Sequence, residues 1–453
     1  MKYISTRGFD GEFDFCNVLY AGYAPDGGLF VPREIPRFSE EQLLSYEWLP
    51  FCQLAFHIIR PFVGQEIPNV ELQRIISSAY SGFSSRAVAP LYQTDSNEWI
   101  LELFHGPSRV YQDFGLQLMA GFVEYFTRLD NKPILIVGCT GGDTGAAAIS
   151  AFTDMPGVKL LVLHPSVGIE PESVNRMVKM AGPNVLNASV KGSYSDCHKL
   201  CEHLLGVREI SGMKLISFNS ISWVRILAQL PFYFYSALQL GAPRRQVAFS
   251  VPTGNFGSLY AAYMSKMMGL SINQLLVVTN RNDGLHRFIS SNTYSKSEIS
   301  ETNTPSMNVS IASNFERFMW NILDGDGEQV AQNMALLESN DTVRMKKENW
   351  LEIRELFDSL SVDDEKVSET AQFLEGQNSY SASKNTAAGV YAARSSRRSL
   401  LIPMICLATT RSLGFNSNDE NNLLSGRKCE FECREIGNNY NELEALVCNW
   451  ARL

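Results

Sequence analysis

The feature that most constrains the fold is a repeated order of apolar strand, glycine-rich turn and helix. Residues 133–152 read PILIVGCTGGDTGAAAISAF, and residues 247–268 read VAFSVPTGNFGSLYAAYMSKMM. In each segment an apolar run of strand length ends in a glycine-rich turn, and a helical pattern follows. Apolar strands that alternate with helices indicate parallel sheets with both faces covered. We therefore predict an α/β fold of parallel sheets covered by helices.

The distribution of these patterns predicts three regions. Residues 1–97 carry amphipathic helical patterns and the turn-rich stretch YAPDGGLFVP at 23–32, which together indicate a small N-terminal helical domain. Strand and helix alternate over 98–235, which predicts a small α/β domain. The same alternation over 236–453 predicts a large α/β domain, with a charged helical insertion at about 320–378.

Charge and hydropathy restrict the partners and the compartment. The net charge of -9 disfavours nucleic acid or an anionic membrane as the main partner. We find no run of about 18 uncharged apolar residues and no apolar segment of a secretory signal at the N-terminus. Nine scattered cysteines indicate reduced thiols. We expect a cytoplasmic protein with no nucleic-acid or membrane partner, and its oligomeric state stays open.

One cysteine and histidine cluster raises the question of a metal site. Cys197, His198, Cys201 and His203 fall within seven residues. On a helix Cys197 and Cys201 share a face but His198 points elsewhere, whereas zinc needs four convergent ligands. A looser group consists of Cys429, Cys433 and Cys448. We expect buried cysteines and no metal.

Each of the two glycine-rich turns, 139–145 and 252–258, predicts an anion-binding site. A helix that starts at such a turn offers free N–H groups and a partial positive charge, and glycines let a ligand approach the backbone. Threonine and serine hydroxyls in the turns add donors. In parallel sheets ligands bind at this carboxyl edge. Neither turn has the P-loop or dinucleotide pattern. The alternative is that the glycines only permit tight turns.

Several stretches resemble one known family. In order they are YAPDGGLFVP, LELFHGPSRVYQDFG, CTGGDTGAAA, FNSISWVRILAQ, VPTGNFG, NDGLHRF and PSMNVSIASNFER, across residues 23–317. They are similar to motifs of threonine synthases of the bacterial and fungal type, which belong to fold type II of the pyridoxal-phosphate (PLP) enzymes. The resemblance implies elimination of phosphate from O-phosphohomoserine with PLP, followed by addition of water.

The resemblance also implies site residues. The implied cofactor-binding residues are Thr253, Gly254, Asn255, Phe256, Gly257, Ser258 and Thr409. The implied substrate-binding residues are Thr140, Gly142, Thr144, Asn219, Arg225, Asn314 and Phe315. Candidate acid–base residues, chosen as side chains that transfer protons, are Asp143, His105, His286 and Tyr111. For the two histidines a capping or packing role is an equal alternative.

One departure from the family pattern bears on the chemistry directly. The lysine that forms the Schiff base with PLP aligns with Gln112. A carboxamide is not a nucleophile toward an aldehyde and offers no base, whereas lysine supplies both functions. Other motifs have changed as well, at Gly141, Ser222, Asn308, Asn385 and Arg411. PLP is therefore expected either to bind without a covalent bond to residue 112 or to be absent.

Three hypotheses stay open. In the first, the protein is a repurposed lyase or synthase acting on a phosphorylated or PLP-linked amino acid in specialised amino-acid or natural-product metabolism. In the second, it is a non-catalytic relative that binds a phosphate-bearing ligand or regulates a partner. In the third, it is an ordinary threonine synthase that uses another lysine. Lysines considered for that role are Lys179, Lys191, Lys199 and Lys384, and none matches a catalytic position.

Overall fold

The computed structural model describes residues 1–207, 209–412 and 433–451. The strands are β1 (Tyr3–Ser5), β2 (Phe30–Pro32), β3 (Leu91–Asp95), β4 (Glu98–Glu102), β5 (Ile134–Cys139), β6 (Val158–Pro165), β7 (Val185–Val190), β8 (Glu209–Ile210), β9 (Met213–Ser217), β10 (Val247–Pro252), β11 (Ile272–Thr279), β12 (Tyr294–Ser295), β13 (Thr342–Val343), β14 (Phe357–Ser361), β15 (Met404–Ala408) and β16 (Arg434–Ile436).

The helices are α1 (Phe15–Tyr20), α2 (Glu40–Ser45), α3 (Phe51–Val63), α4 (Asn69–Ser81), α5 (Gln112–Asp130), α6 (Asp143–Phe152), α7 (Pro171–Met180), α8 (Tyr194–Gly206), α9 (Trp223–Leu227), α10 (Leu230–Gln239), α11 (Gly257–Met267), α12 (Gly284–Ser291), α13 (Phe315–Ile322), α14 (Gly327–Glu338), α15 (Lys347–Leu356), α16 (Asp364–Asn378), α17 (Lys384–Ser396) and α18 (Tyr440–Ala451). A short 3-10 helix covers Pro305–Met307.

Two six-stranded sheets organise the molecule. The large sheet has the order β14-β11-β10-β15-β4-β3, and the small sheet has the order β16-β7-β6-β5-β9-β8. Within each sheet only the terminal strand, β3 or β8, pairs antiparallel to its neighbour. β5 and β15 are buried along their whole length, and β11 is buried except at Asn273, because helices cover both faces. The prediction of parallel sheets covered by helices is confirmed.

Sheet membership differs from the expected domain boundaries in three places. β4 belongs to the large sheet, where it pairs with β15, although residues 98–235 were expected to form the small domain. β16 pairs with β7 in the small sheet, although it lies in the C-terminal region. β14 lies within the expected helical insertion and extends the large sheet next to β11. A strand pattern in the sequence reveals a strand, whereas its sheet is set by partners far along the chain.

Each six-stranded sheet with the helices that cover it forms one lobe. The first 80 residues pack on these two lobes and do not stand apart. β1 and β2 form an antiparallel pair, α3 lies against α10, and α4 lies against α5. Phe51 contacts Phe114 of α5 with ring centroids 5.8 Å apart, and Phe62 contacts Trp223 of α9 at 5.7 Å. The N-terminal region therefore shares the core of the molecule.

The cysteine and histidine cluster on α8 faces in several directions. Cys197 and Cys201 are buried beneath the small sheet. The ring of His203 stacks on Tyr440 at 3.7 Å, and His198 lies beside a glutamate one turn further on. In the described ranges we find no group of three metal-ligating side chains arranged to hold an ion, and no helix long and apolar enough to cross a membrane. Cys429 lies outside the described residues.

Candidate functional site

The candidate site lies at the carboxyl edge of the large sheet. β11, β10, β15 and β4 are consecutive and parallel, so the loops that follow them lie side by side. The glycine-rich turn after β10, the segment from Thr409 after β15, and the turn before α5 all open at this edge. The small sheet contributes the turns after β5 and β9, which approach through the packing of α5 against α6 and α9.

Gln112 is the first residue of α5 and follows a turn anchored to β15. The Tyr111 N–H donates to the Thr409 carbonyl at 2.8 Å, and Val110 forms a bridge with Thr410. Thr409 itself is buried. The Gln112 Oε1 is buried and has no hydrogen-bond partner among the described residues. A buried carbonyl oxygen without a donor costs about 1–3 kcal/mol, so a ligand that donates to it would be favoured.

Asp113 fixes the turn before α5 through hydrogen bonds with Ser108. Its carboxylate accepts hydrogen bonds from the Ser108 N–H at 2.9 Å and from the Ser108 Oγ at 2.7 Å. Gly106 is required here, because a Cβ at that position would lie 2.4 Å from the Asp113 Cβ. Burial raises the pKa of Asp113 to about 7, against the opposing hydrogen bonds from Ser108 and the backbone. Sequence reasoning missed this role, since nothing in the pattern marks Asp113 as buried.

The two candidate histidines have protein partners. His105 Nε2 lies 2.7 Å from Glu102 Oε2, and its Nδ1 lies 3.3 Å from the Ser84 Oγ. His286 Nδ1 lies 2.9 Å from the Ser359 Oγ at the edge strand β14, and burial lowers its pKa. Both nitrogens of His105 are thereby engaged by side chains that orient the turn.

The turn after β10 forms an open helix start. α11 begins at Gly257, and Phe256 before it adopts a left-handed φ of 64°. The Asn255 Oδ1 accepts from the Gly257 N–H at 2.9 Å, which fixes the turn. A Cβ on Gly254 would lie 2.4 Å from the Ser306 carbonyl oxygen, so only glycine fits there. The remaining first-turn N–H groups of α11 have no acceptor within the helix, as at any helix start.

Ser258 and Thr253 flank this turn with their side chains in the protein interior. The Ser258 Oγ lies 2.8 Å from the Tyr233 hydroxyl, which also lies 2.8 Å from the Ser258 carbonyl oxygen. Thr253 is buried, and its N–H donates to the Val278 carbonyl at 2.9 Å. Tyr233 was not predicted from sequence, because it lies in the middle of an apolar helix with no polar pattern.

In the turn after β5, a side chain of the turn itself occupies some of the backbone N–H groups. The Thr140 Oγ1 accepts from the N–H groups of Gly142 and Gly145, both at 2.9 Å. Gly142 has a φ of 140°, which favours glycine, and Thr144 is half-buried in the first turn of α6. Two of the N–H groups expected to face an anion are therefore satisfied by Thr140. Burial raises the pKa of Asp143 at the start of α6, with Arg176 opposing this shift.

Tyr111 lies close enough to Asp143 and to Arg225 for their charges to act on it. Burial raises the pKa of Tyr111, Arg225 opposes that shift and Asp143 reinforces it. Arg225 is buried, and its Nη1 donates to the Phe218 carbonyl at 3.1 Å. It forms no ion pair with a carboxylate in the described ranges, and burial lowers its pKa. A Cβ on Gly115 would lie 2.8 Å from the Arg225 Cδ, so that glycine admits the guanidinium.

The asparagines and Phe315 connect the two lobes around the site. The Asn219 N–H donates to the Ser217 Oγ at 3.1 Å, and the Asn219 side chain is half-buried. The Asn314 Nδ2 donates to the Ser220 carbonyl at 3.3 Å, while its Oδ1 accepts from Arg317. The Phe315 ring packs on Phe256, with centroids 5.4 Å apart. Asn314 and Phe315 thus support the turn after β10.

Two of the altered motif positions, Asn385 and Asn308, lie near the turn after β10. The Asn385 Nδ2 at the start of α17 donates to the Ser306 Oγ at 2.8 Å. The Asn308 Oδ1 accepts from the Asn280 Nδ2 at 2.8 Å and from the Thr302 Oγ1 at 2.7 Å. Asn308 therefore ties neighbouring loops together. The part of the altered C-terminal motif beyond Ser412 lies outside the described residues.

Comparison with known proteins points to the same family as the sequence motifs do. Residues 2–80 match the family model described as threonine synthase N terminus. The chain is 41% identical over 416 residues to threonine synthase of Pseudomonas aeruginosa, covering 92% of this chain and 89% of that protein. It is 36% identical to threonine synthase of Saccharomyces cerevisiae, covering 94% and 89%. The crystal structure of PLP-bound threonine synthase from Brucella melitensis matches with a TM-score of 0.94 at 34% identity, over 100% of both chains.

Two parallel sheets whose carboxyl edges meet around glycine-rich turns define the fold type II class of PLP-dependent enzymes. Within that class, sequence identity over most of the chain decides the family. The chain belongs to the threonine synthase family.

The residues at the carboxyl edge of the large sheet fit the phosphate of PLP. The turn at Gly254 has no room for a side chain, and α11 directs its free first-turn N–H groups toward that edge. The side chain at the start of α5, Gln112, is a carboxamide, which does not form an imine with an aldehyde.

Proposed function

We propose that this member of the threonine synthase family is a repurposed lyase or synthase. It acts on a phosphorylated or PLP-linked amino acid in specialised amino-acid or natural-product metabolism, without a covalent bond to residue 112. The observation that carries the proposal is Gln112 at the start of α5, whose Oε1 is buried without a partner among the described residues. A carboxamide at this place accepts a hydrogen bond from a bound ligand but cannot form an imine.

The phosphate group is the first recognition element. The turn from Thr253 to Gly257 presents the start of α11, where backbone N–H groups and the helix dipole favour an anion. The engagement of Ser258 with Tyr233 leaves recognition to the backbone rather than to that hydroxyl. The phosphate therefore anchors a ligand whose reactive end extends toward Gln112.

The acid–base groups come from both lobes. Bound PLP supplies an electron-withdrawing ring to the carbons of a joined amino acid. Tyr111, whose pKa is raised by burial, stays neutral and holds a proton it can donate. Asp143, whose pKa is also raised by burial, exchanges a proton from the opposite lobe. Arg225 binds the carboxylate of the ligand, because its buried charge has no carboxylate partner in the described ranges.

The alternative is a protein that binds the ligand without turning it over. The hydrogen-bond partners of the two candidate histidines favour it. His105 is held by Glu102 and Ser84, and His286 by Ser359, so both have structural partners. This leaves Tyr111 and Asp143 to carry all proton transfer. A protein that binds the same ligand without turning it over would keep the same turns.

Support for an ordinary threonine synthase is weak. Lys179, Lys199 and Lys384 are exposed on helices, and Lys191 pairs with Glu435 at 2.6 Å on the surface. A lysine that attacks PLP must be held at the ring by its surroundings, and none of these four has such surroundings.

The binding experiment uses phosphopyridoxyl-L-alanine, the reduced and stable conjugate of PLP with an amino acid, titrated by its fluorescence. We expect the wild-type protein to bind it. Gly254→Ala should weaken binding at least about tenfold, since the added Cβ forces the turn to shift. The matched control is Gly376→Ala on α16, where a Cβ meets nothing within 4 Å. If wild type binds neither this conjugate, PLP nor a phosphorylated amino acid, the proposal fails.

A turnover experiment separates the enzyme from its non-catalytic alternative. Release of inorganic phosphate from O-phospho-L-homoserine is measured with PLP present, and Tyr111→Phe serves as the variant. Phosphate release that falls in Tyr111→Phe supports the enzyme. Binding of the conjugate without release from any phosphorylated amino acid supports the alternative.

A further inference from the structure

A second cleft lies at the opposite edge of the large sheet from the candidate site. It has a volume of about 300 Å³ and is bounded by the β3–β4 hairpin, the end of α16 and the end of α17. Its size falls at the lower end of the range for small-molecule sites. The glycine-rich turns lie at the carboxyl ends of the strands, whereas this cleft lies at the amino end of β4.

An ion pair between a buried carboxylate and a partly exposed guanidinium forms one wall of the cleft. Glu98 is 1% exposed and accepts from Arg394 Nη2 at 2.7 Å and Nε at 3.0 Å. The Thr94 Oγ1 donates to the same carboxylate at 2.7 Å. The Arg394 guanidinium also lies over the Phe373 ring at 4.8 Å. These two charges neutralise each other and hold the wall in one geometry.

Two further charged side chains line the cleft without an ion pair in the described ranges. Arg397 donates through Nη2 to the Leu400 carbonyl at 3.2 Å, while its Nε is buried without a partner. Asp95 is exposed, and its Oδ1 accepts from the Ser96 N–H at 2.6 Å. Asn378 adds an Oδ1 that is buried without a partner. The cleft therefore has one cation and one anion available, together with unsatisfied polar atoms.

Apolar side chains border the same cleft. Phe373 is 49% exposed and Leu400 is 70% exposed, although both are large hydrophobic residues. A ligand that covered them would remove apolar surface from water at about 25 cal/mol per Å². The cleft thus combines a cation, an anion and an apolar border.

We propose that this cleft binds a free α-amino acid with an apolar side chain. The carboxylate lies at Arg397, the ammonium group lies at Asp95, and the side chain covers Phe373 and Leu400. A zwitterion fits because it leaves neither available charge unpaired. A ligand of one charge would leave either Asp95 or Arg397 without a counter-charge in the cleft.

The proposed site is separate from the PLP site, because the two lie at opposite ends of the same elements. Glu98 begins β4, and the chain reaches the Gln112 turn only after that strand, which spans about 17 Å. α17 begins near Asn385, which contacts the turn region, and places Arg394 near its other end about 15 Å away.

The test is calorimetric titration of the full-length protein with L-leucine. We expect binding to the wild type and to the control variant Arg344→Gln, which changes an exposed arginine outside the cleft. Arg397→Gln and Asp95→Asn should each weaken binding at least about tenfold, as expected for loss of a charge-assisted contact. Isopentylamine and 4-methylpentanoate, which each lack one charged end, should bind the wild type correspondingly more weakly.

The outcomes separate this site from the PLP site. If L-leucine fails to bind, or binds equally to wild type, Arg397→Gln and Asp95→Asn, the proposal is wrong. Binding at the PLP site would be insensitive to both substitutions and would be displaced by phosphopyridoxyl-L-alanine. Asp95 is exposed, so Asp95→Asn tests the proposal even if Arg397→Gln does not fold. Far-UV circular dichroism of each variant confirms folding.

Discussion

At position 112 the chain carries a carboxamide whose oxygen is buried without a partner in the part of the chain that the structure describes, next to an Asp113 that accepts two hydrogen bonds from Ser108. The surrounding turn is therefore ordered without help from residue 112. The segment from Gly106 to Asp113 therefore has two roles. Gly106, Ser108 and Asp113 shape the turn, and we propose that residue 112 faces the ligand. A replacement at residue 112 changes the chemistry while leaving the turn intact.

Arg225 is the residue whose removal should affect ligand binding most selectively. Arg225→Gln removes a buried cation that has no carboxylate partner in the described ranges, so we expect little loss of stability. We expect the affinity for phosphopyridoxyl-L-alanine to fall by about 10–100-fold, as for a lost charge-assisted hydrogen bond. Binding of PLP alone should change much less. Equal losses for both ligands would show that Arg225 does not bind the amino-acid end.

Asp113 gives a pH dependence of stability. Burial raises its folded-state pKa to about 7, while an unfolded aspartate titrates near 4. Between about pH 4 and 7 the folded state holds the extra proton, so this group makes the free energy of unfolding fall as pH rises. Urea unfolding at several pH values should show a shallower fall in Asp113→Asn than in wild type. Identical pH dependence in the two proteins would contradict this assignment.

The elements show what the sequence can and cannot predict. Strands such as β5 and β10 were predictable, because an apolar run followed by glycines is a local signal. The sheet that receives β4, β14 or β16 was not predictable, since pairing depends on partners far along the chain. The same holds for the site. The turns were predictable, but the engagement of Ser258 by Tyr233 depends on α10.

The Glu98–Arg394 pair joins β4 to α17 and gives a prediction for those elements. Arg394→Gln leaves the Glu98 carboxylate buried without its cation, and we expect a loss of about 3–5 kcal/mol in the free energy of unfolding. The double variant with Glu98→Gln should recover part of that loss, because no charge is then buried. Urea denaturation measures both. A double variant as unstable as the sum of the single variants would argue against direct coupling.

Among the described residues, one apolar core joins the N-terminal region to both sheets, and two further apolar clusters are separate from it. Tyr3 and Phe62 both contact Trp223, with ring centroids 5.7 Å apart in each pair. The Thr6 Oγ1 donates to Glu316 of α13 at 2.5 Å. The helical domain expected at residues 1–97 therefore depends on the rest of the chain for its buried surface.

A fragment of residues 1–97 tests this dependence. We expect the fragment to lack a cooperative thermal transition and a near-ultraviolet circular dichroism signal, because its apolar side chains have lost their partners on α5, α9 and α10. The full-length protein serves as the control. A folded fragment would show that the N-terminal region is an independent domain.

We propose that residue 112 does not attach PLP in this member of the threonine synthase family. The most direct measurement is borohydride reduction of the protein mixed with PLP, followed by peptide mass mapping. We predict no stoichiometric phosphopyridoxyl label on any single lysine of the wild type. Gln112→Lys should become labelled at residue 112 without gaining full threonine synthase activity. Stoichiometric labelling of one wild-type lysine, Lys384 for example, would show that the proposed function is wrong and identify an ordinary threonine synthase.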